Sequence, residues 1–221
     1  MNIFLAAGFW PTWTIVVDFG VVGFAMGWVG RLVLRRSALR LRCRPPWCEV
    51  ASGCLSALLG WRVAAGLLPW WWLPVPLLLS WFAVPLAVAD FARRRLPDVL
   101  TLPTYPALGL AVGLAAAVGP DAGLGLRALV GALVFGGAHL LVRALLPAAM
   151  GGGDVKLAGS LGGVLGALGW AALALAAAAA ACCTLVLAVA SRTRTVAHGP
   201  GLLAAVWLLA AFPAGPLPAI G

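Results

Sequence analysis

Eight apolar runs, residues 12–34, 50–68, 74–91, 99–118, 126–147, 153–169, 170–190 and 199–213, follow one another with only short breaks between them. A helix of about 20 residues, rising 1.5 Å per residue, crosses a hydrocarbon core of about 30 Å. Backbone polar groups in lipid must bond within the protein, so only helices and closed barrels span a membrane. Long Ala/Leu/Gly runs lack the two-residue alternation of a barrel strand, which excludes the barrel. The chain therefore reads as an all-α polytopic membrane protein, one membrane domain over 1–221 with about eight spanning helices. Composition agrees: 63% of residues are hydrophobic, 10% are charged and the mean hydropathy is +1.06. Soluble domains carry about 25% charge. Gly169-Trp170 is the expected turn that divides 153–190 into two helices rather than one bent helix.

The first run is longer than the apolar core of a signal peptide and no basic segment precedes it, so it reads as a retained span with its N-terminus outside. That orientation places the loops 35–49, 92–98, 148–156 and 191–198 on the cytoplasmic side. They carry Arg35, Arg36, Arg40, Arg42, Arg44, Arg93, Arg94, Arg95, Lys156, Arg192 and Arg194, most of the 15 basic residues. This is the positive-inside pattern. Trp10, Trp13, Trp70, Trp71, Trp72 and Trp170 then fall at the outer boundary, where indoles favour the headgroup level. The formal charge of +9 follows from topology and from attraction to anionic inner-leaflet lipid, without nucleic acid as a partner. Five cysteines make no disulfide framework, because Cys43 and Cys48 are cytoplasmic and the others lie in apolar helices.

Against this background acid is rare. An ionisable side chain in a membrane segment costs about 2.5–3.5 kcal/mol on insertion scales and persists mainly where it works or is paired. Three of the six acidic residues lie in two short stretches, 89–98 and 151–156. Asp154 follows Gly151-Gly152-Gly153, which lets the backbone bend sharply and aim the carboxylate at a helix N-terminus; helix capping is the competing job. Asp90 ends its helix ahead of Arg93, Arg94 and Arg95, so an ion pair with Arg93 or Arg94 is the alternative there. Pro97 makes 96–98 a turn, and Asp98 is expected to cap the next helix.

Two carboxylates brought to one membrane face are the minimum equipment of an aspartyl protease. Close like charges share one proton, so one carboxylate activates water while the other polarises the scissile carbonyl. Asp154, at a helix N-terminus, is expected as the base and Asp90, at a C-terminus, as the proton holder. Other chemistries have less support. No His-Glu-x-x-His occurs, and His139 and His198 are the only histidines. Lys156 and Ser160 lie one turn apart, but Lys156 serves more simply as a boundary charge. His139 shares a helix face with Arg143, where a packing role is expected. Asp18 and Arg62 match in depth and either pair or snorkel separately. A transporter or channel built on intramembrane Asp, Arg and His is the competing class; its sites would lie near the midplane.

The pattern Asp-x6-Pro-Asp-x4-Pro (Asp90, Pro97, Asp98, Pro103) followed by Gly-x-Gly-Asp-x-Lys (Gly151, Gly153, Asp154, Lys156) resembles the type IV prepilin peptidases, membrane aspartyl proteases of bacteria. Glu49 and His198-Gly199-Pro200 extend the resemblance over about 49–210. It implies that Asp90 and Asp154 are the catalytic pair, with Gly151, Gly153, Lys156, Pro97 and Asp98 as supporting motif residues. The implied reaction removes a basic leader from type IV prepilin or pseudopilin precursors at the cytoplasmic face of the bacterial inner membrane. Glu49 and Asp98 are the expected counter-charges for that leader. Many members carry two Cys-x2-Cys pairs in the first cytoplasmic loop, associated with zinc and N-methylation of the product. Here 35–49 offers only Cys43-x4-Cys48, two sulfurs where structural zinc wants four ligands. A compact peptidase over helices 50–213 is expected, without metal, cofactor or N-methyltransferase activity.

Overall fold

The computed structural model describes residues 12–41, 43–147, 151–191 and 199–213. Among them are eight helices and no strands: α1 (Thr12–Arg36), α2 (Trp47–Ala64), α3 (Pro74–Arg93), α4 (Asp98–Val118), α5 (Leu124–Leu145), α6 (Gly152–Leu168), α7 (Trp170–Ser191) and α8 (Gly199–Ala211). Each coincides with one of the apolar runs. Four of them, α1, α3, α4 and α5, are long and apolar enough to cross a membrane; α8 and the Trp170–Val186 part of α7 are apolar but shorter. The described residues are thus all-helical, with four helices long and apolar enough to span, as in a multi-pass membrane protein, a coarser result than eight full crossings.

Local chemistry sets the boundaries. Pro74 opens α3, where a missing N–H costs nothing, and Pro97 in extended geometry precedes α4. Gly169 separates α6 from α7 with φ +120°, a region closed to residues with a Cβ, and this is the turn expected at Gly169-Trp170.

Lipid offers helices little hydrophobic reason to associate, so close packing over small residues takes that part. α1 lies on α2 through Gly23 and Gly27, where a Cβ would strike Ser52, Ser56 and the backbone of Cys48 and Glu49. α5 lies on α6 in the same way: a Cβ on Gly131 would come within 2.6 Å of the Gly162 carbonyl and the Gly166 Cα. α8 is fastened to α3 by side chains instead. Trp207 Nε1 donates to Ser80 Oγ (2.7 Å), and Trp72 Nε1 donates to the Ala210 carbonyl (2.9 Å).

Side chains at the end of the bundle where α3 begins find partners within the protein. Trp71 and Trp72 are buried, and Trp72, completely buried, has its indole N–H satisfied by the Ala210 carbonyl of α8. Trp13, Trp70 and Trp170 are exposed, and Trp10 lies outside the described residues. Arg62 does not reach Asp18: it donates to the Leu67 carbonyl (3.0 Å) and lies 4.1 Å over the Phe212 ring.

Candidate active site

α3 ends immediately after Asp90-Phe91-Ala92-Arg93. Arg94 closes it in left-handed geometry (φ 51°), its N–H on the Asp90 carbonyl at 2.7 Å. The chain then turns through Leu96-Pro97 into α4. Asp90 is left inside the bundle, 5% exposed.

Asp154 arrives from the other side as the third residue of α6. Gly151, not Asp154, is the N-cap, and no side-chain bond caps the helix. The Asp154 carboxylate instead folds back toward Gly151, whose backbone N–H donates to it. This is the returning half of a capping box. The three glycines were expected as a bend, yet Gly152 and Gly153 are ordinary helical residues. They are needed for room: a Cβ on Gly153 would lie 2.7 Å from Leu96 Cβ, and one on Gly152 would lie 3.4 Å from the Arg143 guanidinium.

The two carboxylates meet at the start of α8. Gly199 donates its backbone N–H to Asp90 Oδ2 at 3.1 Å, in a buried bond. A Cβ on Gly199 would fall 2.8 Å from Asp90 Oδ2 and 3.3 Å from Asp154 Oδ1. Both oxygens therefore border one small volume, separated by no more than the sum of these distances. Asp154 Oδ1 is buried and has no hydrogen-bond partner among the described residues. Asp90, in the last turn of its own helix, thus also faces the N-terminus of α8.

A cavity of about 520 Å³ opens beside the pair, bounded by Arg94, Arg95, Leu96 and Asp98 on one side and by Arg143 and Gly151 to Lys156 on the other. The structure thus unites Asp90, Asp98, Gly151, Gly153, Asp154 and Lys156, with Pro97 in the adjoining turn. Asp98 makes no capping bond; its Oδ1 accepts from Lys156 Nζ at 2.7 Å, and both side chains are about half exposed. Glu49 is elsewhere: 2% exposed, its carboxylate bound by Arg31 of α1. That buried pair matches its charge already, so it offers nothing open to a leader. Ser160 is turned from Lys156 toward Thr104 (2.9 Å) and the Leu157 carbonyl, and His139 packs on Phe135 with Nδ1 at the Phe135 carbonyl (2.8 Å). His198 and the loop residues Arg192 and Arg194 lie outside the described residues.

The residues do not suit the zinc associated with the longer loop of the family. Cys43 and Cys48 are adjacent, Sγ to Sγ 3.0 Å, but Glu49 is committed to Arg31. Among the described residues no group of three metal-binding side chains exists.

Residue reasoning did not place Gly199, Arg143 or Leu96 in the site. Gly199 carried a signal, the Gly-Pro opening of a helix. Arg143 and Leu96 had only their positions at helix ends.

The sequence pattern of the type IV leader peptidase family matches residues 77–189. The prepilin leader peptidase/N-methyltransferase of Aeromonas hydrophila is 32% identical over 189 residues, 77% of this chain and 62% of the relative. The protein of the same description from Aeromonas salmonicida strain A449 is 36% identical over 143 residues, 61% of this chain and 47% of the relative. The chain thus spans about half to three-fifths of these relatives' length. No solved structure matches it.

Proposed function

This chain belongs to the type IV leader peptidase family, and from that premise we propose that it is an aspartic endopeptidase that removes the basic leader of type IV prepilins or pseudopilins. The observation that carries the reading is the convergence of Asp90 and Asp154, sixty-four residues apart, on the same side of Gly199 beside an open cavity. Carboxylates this close hold one proton between them. The ionised partner draws a proton from water while the protonated one polarises the scissile carbonyl. Asp154 Oδ1, buried and without a partner among the described residues, borders the same small volume as Asp90 Oδ2, where such a shared proton belongs.

Location favours this over the transport reading, since both aspartates lie at helix ends rather than midway along spans. The end of the bundle holding the pair also holds Arg35, Arg36, Arg93, Arg94, Arg95 and Lys156. By the positive-inside rule that end is cytoplasmic in a bacterial inner membrane, with the N-terminus outside, and its charge attracts anionic lipid. Asp98, exposed at the cavity rim, can exchange Lys156 for a basic residue of the leader; Glu49, buried with Arg31, is not offered that role. The two relatives also bear the N-methyltransferase name, but the short 37–46 connection and the ill-suited cysteine pair favour a peptidase without that second activity.

Purified protein mixed with a prepilin carrying a basic leader is expected to release the leader, read by mass spectrometry. Asp90→Asn and Asp154→Asn are each expected to lower the rate by about 10²–10⁴-fold while the protein remains inserted. Cleavage that survives either change sinks the reading.

A further inference from the structure

We propose that Gly199 is a positioning residue for the aspartate pair: its backbone N–H fixes Asp90, and its missing side chain leaves the space in which Asp90 and Asp154 face each other. This deepens the peptidase reading and rests on it.

The N–H to Asp90 Oδ2 bond spans 109 residues and is buried, so it joins the first residue of α8 to the last turn of α3. No Cβ fits there, at 2.8 Å from Asp90 Oδ2 and 3.3 Å from Asp154 Oδ1. The atoms that would be struck are carboxylate ends, not backbone. A methyl group at 199 is therefore relieved by turning a carboxylate aside, which spares the fold and spoils the facing geometry.

The height of Gly199 along the bundle is set from farther up α8. Trp207 lies eight residues on, about 12 Å at helical rise, and its Nε1 donates to Ser80 Oγ, which in turn donates to the Pro76 carbonyl (2.8 Å). Trp72 holds the far end of α8 through the Ala210 carbonyl. Both bonds tie α8 to α3 or to its entry, the element that carries Asp90. A rigid helix pinned at two points delivers its first N–H to one place. Pro200, the second residue of α8, has no N–H to compete for the carboxylate.

The test compares kcat and KM for prepilin cleavage by the wild type, Gly199→Ala and Trp207→Phe, with inserted protein quantified for each. A misplacement near 1 Å costs about 100-fold in rate. Gly199→Ala is accordingly expected to lose about 100-fold in kcat with KM within about threefold of wild type. Trp207→Phe, which loosens the register without entering the site, is expected to lose about tenfold in kcat at similar KM. A Gly199→Ala protein with wild-type kcat overturns the proposal, as does a loss confined to KM. Should Gly199→Ala fail to insert, Trp207→Phe decides alone, and wild-type kcat there overturns it. A wild type that cleaves no prepilin overturns the peptidase reading itself, whereas cleavage untouched by Gly199→Ala overturns only the positioning role.

Discussion

Each aspartate of the pair meets a backbone N–H at a helix N-terminus, Asp90 that of Gly199 and Asp154 that of Gly151. Close like charges are relieved by sharing a proton. Close by, Gly153 and Leu96 meet at their Cβ positions, which no rotamer can separate. Gly153→Ala must push the 96–98 turn from α6. It is expected to cost about 1–3 kcal/mol of stability and to slow cleavage, measured by thermal unfolding in detergent alongside the peptidase assay. At the opposite end, the Arg127 guanidinium donates to Asp121 and holds its carboxyl below the usual carboxylate range. A lowered folded value means stability that is present above the unfolded value of about 4 and is lost as pH falls through the folded one. The melting-temperature gap between wild type and Asp121→Asn should therefore be small but constant near neutrality and close in acid. A gap that widens in acid contradicts the pairing.

At the scale of elements, two helix pairs are held by glycine contacts and one by tryptophan hydrogen bonds. The distinction is testable within α5. Gly131 faces the α6 backbone, while a Cβ on Gly137 would meet nothing within 4 Å. Gly131→Ala is expected to destabilise by about 1–3 kcal/mol because backbone cannot step aside. Gly137→Ala should be neutral or gain up to about 1 kcal/mol from helix propensity. Equal melting temperatures for the two variants would mean that α5 and α6 are not in close contact. The helix boundaries themselves were legible from Pro74, Pro97 and the Gly169 turn, whose effects are steric and local. Asp98 was misread for the complementary reason: a short acid at a helix start looks like a cap, and only α6 brings Lys156 within 2.7 Å.

Over the whole molecule, the turn 94–97, Gly151 and the start of α8 gather at one end, and the Gly169 turn, Asp121 and Trp72 at the other. With the native cysteines replaced, Asp121→Cys in intact cells is expected to react with an impermeant maleimide and Arg95→Cys only after lysis. The reverse would invert the proposed topology. The all-helical class, the helix order and the two acidic stretches were determined by sequence alone, because apolar run length, proline and glycine act through backbone sterics and solvation that neighbours in the chain already specify. Tertiary structure alone decided that Glu49 is spent on Arg31, that Trp72 is buried against α8, and that a glycine 109 residues from Asp90 borders both carboxylates. Those outcomes depend on which helix faces meet and at what height, and that is set by packing between segments remote in sequence.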